Sequence, residues 1–169
     1  MKQIIKTEFW IPTSLEKVWE FHADAANLLK ITPGLFKLRI DNLPAKYESG
    51  VSFNITSENN FLKPFLNWKV EYSDWLEEPD YKRFIDIQKS GPFSEWKHTH
   101  EFKRGVQTLV LEEKNFKAKE PGSWICDTVE FSLRKELQIF NKVAQKALYA
   151  LFTYRKKQLE KIFDVNAFA

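Results

Sequence analysis

The stretch GPFSEWKHTHEF, residues 91–102, places His98 and His100 one residue apart. Side chains alternate between faces in an extended strand. Trp96, His98, His100 and Phe102 therefore share one face, and Glu95, Lys97, Thr99, Glu101 and Lys103 share the other. The second face belongs to solvent. The first is aromatic and apolar except for two imidazoles. On such a wall the imidazoles can satisfy buried carboxylates and thereby specify strand register. They can orient the polar group of an otherwise apolar ligand. Either His98 or His100 can act as general acid or base in an aldol cyclisation, a dehydration or a hydrolysis. The pair can also ligate one metal ion.

Two carboxylates are candidates to stand beside them. In the segment 82–89, Phe84, Asp86 and Gln88 share a face; in 124–132, Ile125, Asp127, Val129 and Phe131 do. In a sequential antiparallel sheet the histidine strand lies beside 82–89 on one side and beside either 106–117 or 124–132 on the other. Asp86 and Asp127 can then point inward. A buried carboxylate beside an imidazole favours the imidazolium and orients the ring. Asp86 could be a third ligand to a metal held by the histidines, but no sharper constellation marks a metal site, and none is expected. No cofactor is expected either: the chain has no Gly-rich phosphate loop, no Ser or Cys elbow and no CxxC. Cys126, the one cysteine, sits in SWICDTVEF among apolar and acidic neighbours that raise a thiol pKa, which argues against a nucleophile. His22, at the end of the first helix, is expected to be exposed or a cap.

The elements that must position these residues are legible as periodicities. Residues 3–11 read as a strand with Ile5, Thr7, Phe9 and Ile11 on one side. PTSLEKVWEF switches to helix, with Thr13 and Glu16 fitting a capping box and Ser14 the alternative cap. Asp24 is placed to cap a second short helix through Leu29, stopped by Pro33. Strands follow near 35–41, 50–57, 66–77 and 82–89, then the histidine strand, entered through a kink at Gly91–Pro92. Residues 106–117 and 124–132 read as two further extended segments broken by KEPGS. Leu137, Phe140, Ala144, Ala147, Leu148, Leu151, Phe152, Leu159 and Ile162 mostly recur at three- and four-residue spacing, which predicts an amphipathic helix over about 134–163. Strands grouped together with helices kept apart make an α+β fold. A long helix with one apolar stripe must bury it against the sheet, which curls around it.

Composition bounds the rest. A chain of 169 residues without linker or repeat reads as a single domain over 1–169. Fifteen Phe, six Trp and five Tyr suit either a bulky core or an aromatic ligand cavity. A net charge of +3, with both signs interspersed, gives no nucleic-acid footprint. A single cysteine rules out an internal disulfide and suits a reducing compartment. No signal-peptide pattern and no apolar run long enough to span a bilayer occur, so a cytoplasmic protein is expected. The lysine face of the terminal helix reads as solvated surface, with transient docking to an anionic membrane as the other option. Arg155 lies near the apolar stripe and can snorkel toward a carboxylate.

Three stretches, FWIPTSLEKVWEFHADAANLLKITP, FIDIQKSGPFSEWKHTHEF and IFNKVAQKALYALFTYRKKQLEKIF, resemble the START-like superfamily, also called SRPBCC or helix-grip, and most closely its bacterial ligand-binding branch. The departure is KRGVQTLVLEEKNFKAKEPGS, where a shorter connection is expected. The resemblance implies a curved antiparallel sheet gripping the C-terminal helix, two short helices after the first strand, and a hydrophobic cavity between sheet and helix. It does not imply one activity. The wall is expected from Trp68, Val70, Tyr72, Phe84, Asp86, Trp96, His98, His100, Phe102 and Asp127 on the sheet. Leu148, Leu151 and Phe152 are expected to join them from the helix. The expected function is binding or carriage of a small hydrophobic, lipid- or polyketide-like molecule. The alternatives are a cyclase/dehydratase-type enzyme using His98 or His100, and an interaction module without a functional cavity.

Overall fold

The computed structural model describes residues 2–60, 66–111 and 116–163, and for 108–111 and 116–120 the backbone alone. Seven strands form one antiparallel sheet: β1 (Gln3–Ile11), β2 (Leu38–Asp41), β3 (Ser52–Ser57), β4 (Asn67–Glu77), β5 (Tyr81–Ser90), β6 (Phe93–Leu111) and β7 (Phe116–Leu133), in the order β1-β7-β6-β5-β4-β3-β2. β2 to β7 run as a meander, and β1 closes the row against β7. Helix α1 (Leu15–Ala23) and two short 3₁₀ turns follow β1, and helix α2 (Asn141–Ile162) ends the described chain. Among the described residues no helix is long and apolar enough to cross a membrane.

Ser14 rather than Thr13 caps α1, its hydroxyl accepting from the Lys17 amide. Leu15, Val18 and Trp19 of α1 are buried at helical spacing, and Trp19 meets the rings of Trp75, Phe84 and Phe102. In β4 the alternation of Trp68, Val70 and Tyr72 is broken by a register shift between Tyr72 and Asp74, so that Trp75 turns back to the core and stacks on Phe84. Such bulges add a residue to one strand and bend it.

Two expectations are corrected. KEPGS does not break the chain: β6 and β7 form one continuous hairpin, with Gly105 opposite Gly122 and Val106 opposite Pro121. Part of the segment 106–117, residues 112–115, lies outside the described residues. The strand beside the histidines is therefore the one carrying Asp127. The terminal helix also does not run unbroken from 134. Residues Lys135–Phe140 form a 3₁₀ turn, in which three residues per turn rotate side chains off an α-helical stripe. Leu137, Ile139 and Phe140 accordingly face solvent. From Ala144 on, the inward stripe is Ala144, Leu148, Phe152, Arg155 and Leu159, with one charged residue in it.

The apolar interior is divided. One cluster joins β1, α1, β3, β4 and β5 with Leu159 of α2; the other joins Ile5, Val129, Phe131, Leu133 and Phe152. The β1–β7 seam is tight. A Cβ on Gly122 would stand 2.2 Å from the Ile11 carbonyl oxygen and 2.5 Å from the Trp10 ring. Backbone cannot yield as a flexible side chain can, so Gly122→Ala is expected to cost about 1–3 kcal/mol, read as a lower urea midpoint at unchanged slope.

Candidate functional site

Strand register builds the site. Asp86 of β5 lies opposite His98 of β6, and His100 of β6 lies opposite Asp127 of β7. The two carboxylates thus flank the imidazoles on opposite sides, one row apart, and each reaches both rings. Asp86 Oδ2 is 3.3 Å from His98 Nδ1 and 2.9 Å from His100 Nε2. Asp127 Oδ1 is 2.9 Å from His98 Nε2 and 3.0 Å from His100 Nδ1. The last contact is close enough for an ion pair but poorly aligned, and His100 Nδ1 has no hydrogen-bond partner. The ring centroids of His98 and His100 are 3.6 Å apart. Trp96 Nε1 donates to the other oxygen of Asp86 at 3.0 Å. All four side chains are largely withdrawn from solvent, His98 to 4% exposure.

A carboxylate only accepts, so a nitrogen facing one bonds to it only when protonated. Burial opposes charge on Asp86, but the His98 charge and the two imidazole hydrogen bonds outweigh it and hold the carboxyl below the usual carboxylate range. Asp127 is likewise held well below it, against burial, by the adjacent His100 and His98 imidazoles, the latter hydrogen-bonded to it. Burial resists the His98 charge, and Asp86 and Asp127 overcome it to raise the imidazole pKa.

A cavity of about 110 Å³ lies over this tetrad. Trp68, Val70, Tyr72, Phe84 and Trp96 line it from the sheet together with the tetrad, and Phe152 from the helix. Three anticipated residues stand elsewhere. Phe102 is fully buried among the core rings, Leu148 packs with the second apolar cluster, and Leu151 is outside the lining. Gln88 extends the polar edge, accepting from Trp68 Nε1 and donating to the Phe93 carbonyl.

Among the lining residues that the sequence reading did not place in the wall, two are basic. Arg155 projects from α2 with its guanidinium 5.0 Å from the Phe152 ring; its Nε is buried without a hydrogen-bond partner. Burial lowers its pKa, against the attraction of Asp127 and Asp86. The available signal was its place in the inward stripe of α2. His22 is the other. It is neither exposed nor a cap: its Nδ1 lies 2.8 Å from the Val18 carbonyl, which turns the ring onto Phe102 and into the cavity wall. Leu15, Val18, Trp19 and His22 are one helical stripe, and that spacing was the signal. Cys126 is buried, and burial pushes its thiol up.

No protein-family model matches the chain, and no curated protein does. Solved structures match over nearly its whole length. Norcoclaurine synthase from Thalictrum flavum in complex with dopamine and hydroxybenzaldehyde is 16% identical, with a TM-score of 0.58 over 95% of this chain and 88% of that one. A point mutant of a Thalictrum norcoclaurine synthase with a transition-state analogue gives 17% and 0.56, over 95% and 96%. Ara h 8.0201 gives 13% and 0.50, over 95% and 99%. The chain has the helix-grip fold. At these identities the likeness is one of architecture, and the chemistry of this helix-grip cavity rests on its own residues.

Buried ion clusters rarely add stability over apolar replacements, yet removing one member leaves an uncompensated charge. Asp127→Ala is therefore expected to cost about 3–5 kcal/mol. The fourfold change Asp86→Val, His98→Leu, His100→Leu and Asp127→Val should restore wild-type stability or exceed it. Urea unfolding at neutral pH measures both; wild-type stability of Asp127→Ala would show that the ring is not coupled.

His22 gives a pH signature. Burial pushes its pKa down to about 4, against the Val18 hydrogen bond and the Asp127 charge, and with the His100 and Arg155 charges acting in the same direction as burial. The unfolded chain takes up a proton near pH 6.5, and the folded one only near 4. His22 therefore contributes stability that is present above pH 6.5 and lost as pH falls toward 4, by about 1.4 kcal/mol per pH unit. His98 has the opposite sign, with stability lost as pH rises through its raised value. His22→Gln should flatten the acid limb of the stability profile between pH 6.5 and 4, measured by chemical denaturation at each pH.

Proposed function

We propose that the protein binds a small, largely apolar molecule, about one ring in size, with an acceptor group directed at the polar end of the cavity. What carries this reading is Arg155, a cation on the wall of a cavity lined by rings, aliphatic side chains and the tetrad, whose Nε has no hydrogen-bond partner. A buried guanidinium N–H without a hydrogen-bond partner is costly, and a ligand carboxylate is its natural complement. The volume of about 110 Å³ is below the about 300–1,000 Å³ of pockets for drug-sized ligands. It is nearer the about 150 Å³ of an engineered cavity that holds benzene. That size favours a single-ring acid over a long-chain lipid. A lipid-like ligand would require the cavity to widen.

A second reading follows from the imidazoles themselves. His98 and His100 line the same space, each held between two carboxylates, and oriented imidazoles of this kind transfer protons. Binding is the more direct inference, because it requires only the side chains as they stand.

Thermal shift and calorimetry with benzoate, benzyl alcohol, benzylamine and palmitate test the proposal. Benzoate is expected to stabilise most, by about 2.7 kcal/mol at a hundredfold excess over its Kd. Arg155→Met should remove the preference for the acid over the alcohol. No response to any one-ring compound, or an unchanged preference in Arg155→Met, overturns it.

A further inference from the structure

The tetrad has a sidedness that a purely mutual ion cluster does not need. Asp86, His98 and His100 each present one ligand atom such that all three lie within 4.8 Å of one another. Asp86 Oδ2 faces His98 Nδ1 and His100 Nε2, while the remaining nitrogen of each ring faces the same oxygen of Asp127. The remaining oxygen of Asp86 is held by Trp96 Nε1. The inner atoms of Asp86 and His98 thus have a hydrogen-bonded outer partner on the far side of their own group, and His100 Nδ1 lies 3.0 Å from Asp127 without a hydrogen bond to it.

We infer that Asp86, His98 and His100 form a binding site for one divalent transition-metal ion, with Asp127 and Trp96 as the outer groups that orient the ligands. Metal-bound histidines characteristically donate their other ring N–H to a carboxylate, which fixes the tautomer and the ring plane. Here Asp127 does this for His98, and its same oxygen stands 3.0 Å from His100 Nδ1, within reach of a small ring rotation. Zinc–ligand bonds of about 2.0–2.2 Å put tetrahedral ligand atoms roughly 3.3–3.5 Å apart. Asp86 Oδ2 stands 3.3 Å from His98 Nδ1 and 2.9 Å from His100 Nε2, so loading requires little movement of these pairs. The donor set, two imidazoles and a carboxylate, suits Zn²⁺ and its neighbours in the series rather than Mg²⁺ or Ca²⁺.

On loading, the metal replaces any proton on His98 Nδ1 and His100 Nε2, and those protons leave to solvent. The outer nitrogens stay protonated, His98 Nε2 donating to Asp127 and His100 Nδ1 lying 3.0 Å from the same oxygen. Three protein ligands leave at least one coordination position, and the cavity is the space available to it. With Arg155 in the same wall, that position favours an anionic donor.

The test uses untagged, chelator-treated protein with Zn²⁺ or Co²⁺ alone and no organic ligand, so its failure leaves the reading of Arg155 standing. Calorimetry should show one equivalent bound with micromolar or tighter affinity, and Co²⁺ should give the visible bands of a four- or five-coordinate site. His98→Ala and His100→Ala should abolish both signals. Asp127→Asn should weaken affinity by about 10–100-fold while keeping the Co²⁺ spectrum, which a merely structural role would not produce. For variants that do not fold, ¹⁵N NMR of the wild-type imidazoles decides. One equivalent of Zn²⁺ should shift His98 Nδ1 and His100 Nε2 and leave the other nitrogens protonated. Absence of stoichiometric binding, binding retained in both histidine variants, or imidazole resonances unmoved by Zn²⁺ overturns the inference.

Discussion

Two carboxylates and two imidazoles locked across three adjacent strands set the terms for the rest of this molecule. Each aspartate touches both rings, so no pair can shift without breaking contacts on both neighbouring strands. A slip of one residue in β5 or β7 would carry its aspartate to the opposite face and leave the rings uncompensated. The ring therefore specifies register where an apolar face would tolerate error. It also partitions the interior. Apolar side chains cannot close over such a group at no cost, and the two hydrophobic clusters lie on either side of it.

The helix answers this division. Phe152 belongs to one cluster and Leu159 to the other, and Arg155 lies between them in sequence. The helix thereby presents its one inward charge to the cavity over the tetrad. At the rim, Gly91 lets the chain pass close to Trp68 and Gln88, since a Cβ there would lie 1.9 Å from the Trp68 ring. Trp68 in turn meets Phe93 and Trp96, and Trp96 holds Asp86. One aromatic run thus connects the turn between β5 and β6 to the carboxylate that orients the imidazoles.

Much of this was legible in the residues. Alternation in HTHEF placed the imidazoles and solvent charges on opposite faces, and the same rule placed Asp86 and Asp127 inward. Those assignments need only period two and a meander. What was not legible depended on choices that period alone does not make. The long hairpin contains Pro121 and Gly122 within KEPGS, which read as a break, yet the strands pair through them. Gly105 has the ring of Trp124 beside it, and Gly122 that of Trp10, where side chains would not fit. The turn at Lys135–Phe140 defeated the helical stripe because a 3₁₀ segment and an α-helix share apolar spacing over one or two turns. His22 was read from its place at a helix end and Arg155 as lying beside the stripe, although each sits on an inward stripe.

The cavity now has a physical reason to exist. Its polar floor holds two carboxylates below their ordinary range, and its wall carries a guanidinium pushed down by burial. Charges of both signs are thus kept apart in a space lined mainly by rings. Were the tetrad only a structural clasp, Arg155 could be replaced by leucine and the stripe of α2 would become uniformly apolar, joining the two clusters into one core. A buried cation above imidazoles already ion-paired with Asp86 and Asp127 supports the proposed point of attachment. An acceptor entering from the cavity can reach the guanidinium without displacing the imidazoles from Asp86 and Asp127. The fold therefore separates two tasks: the sheet orients the imidazoles, and the helix supplies the charge that the proposed ligand would meet.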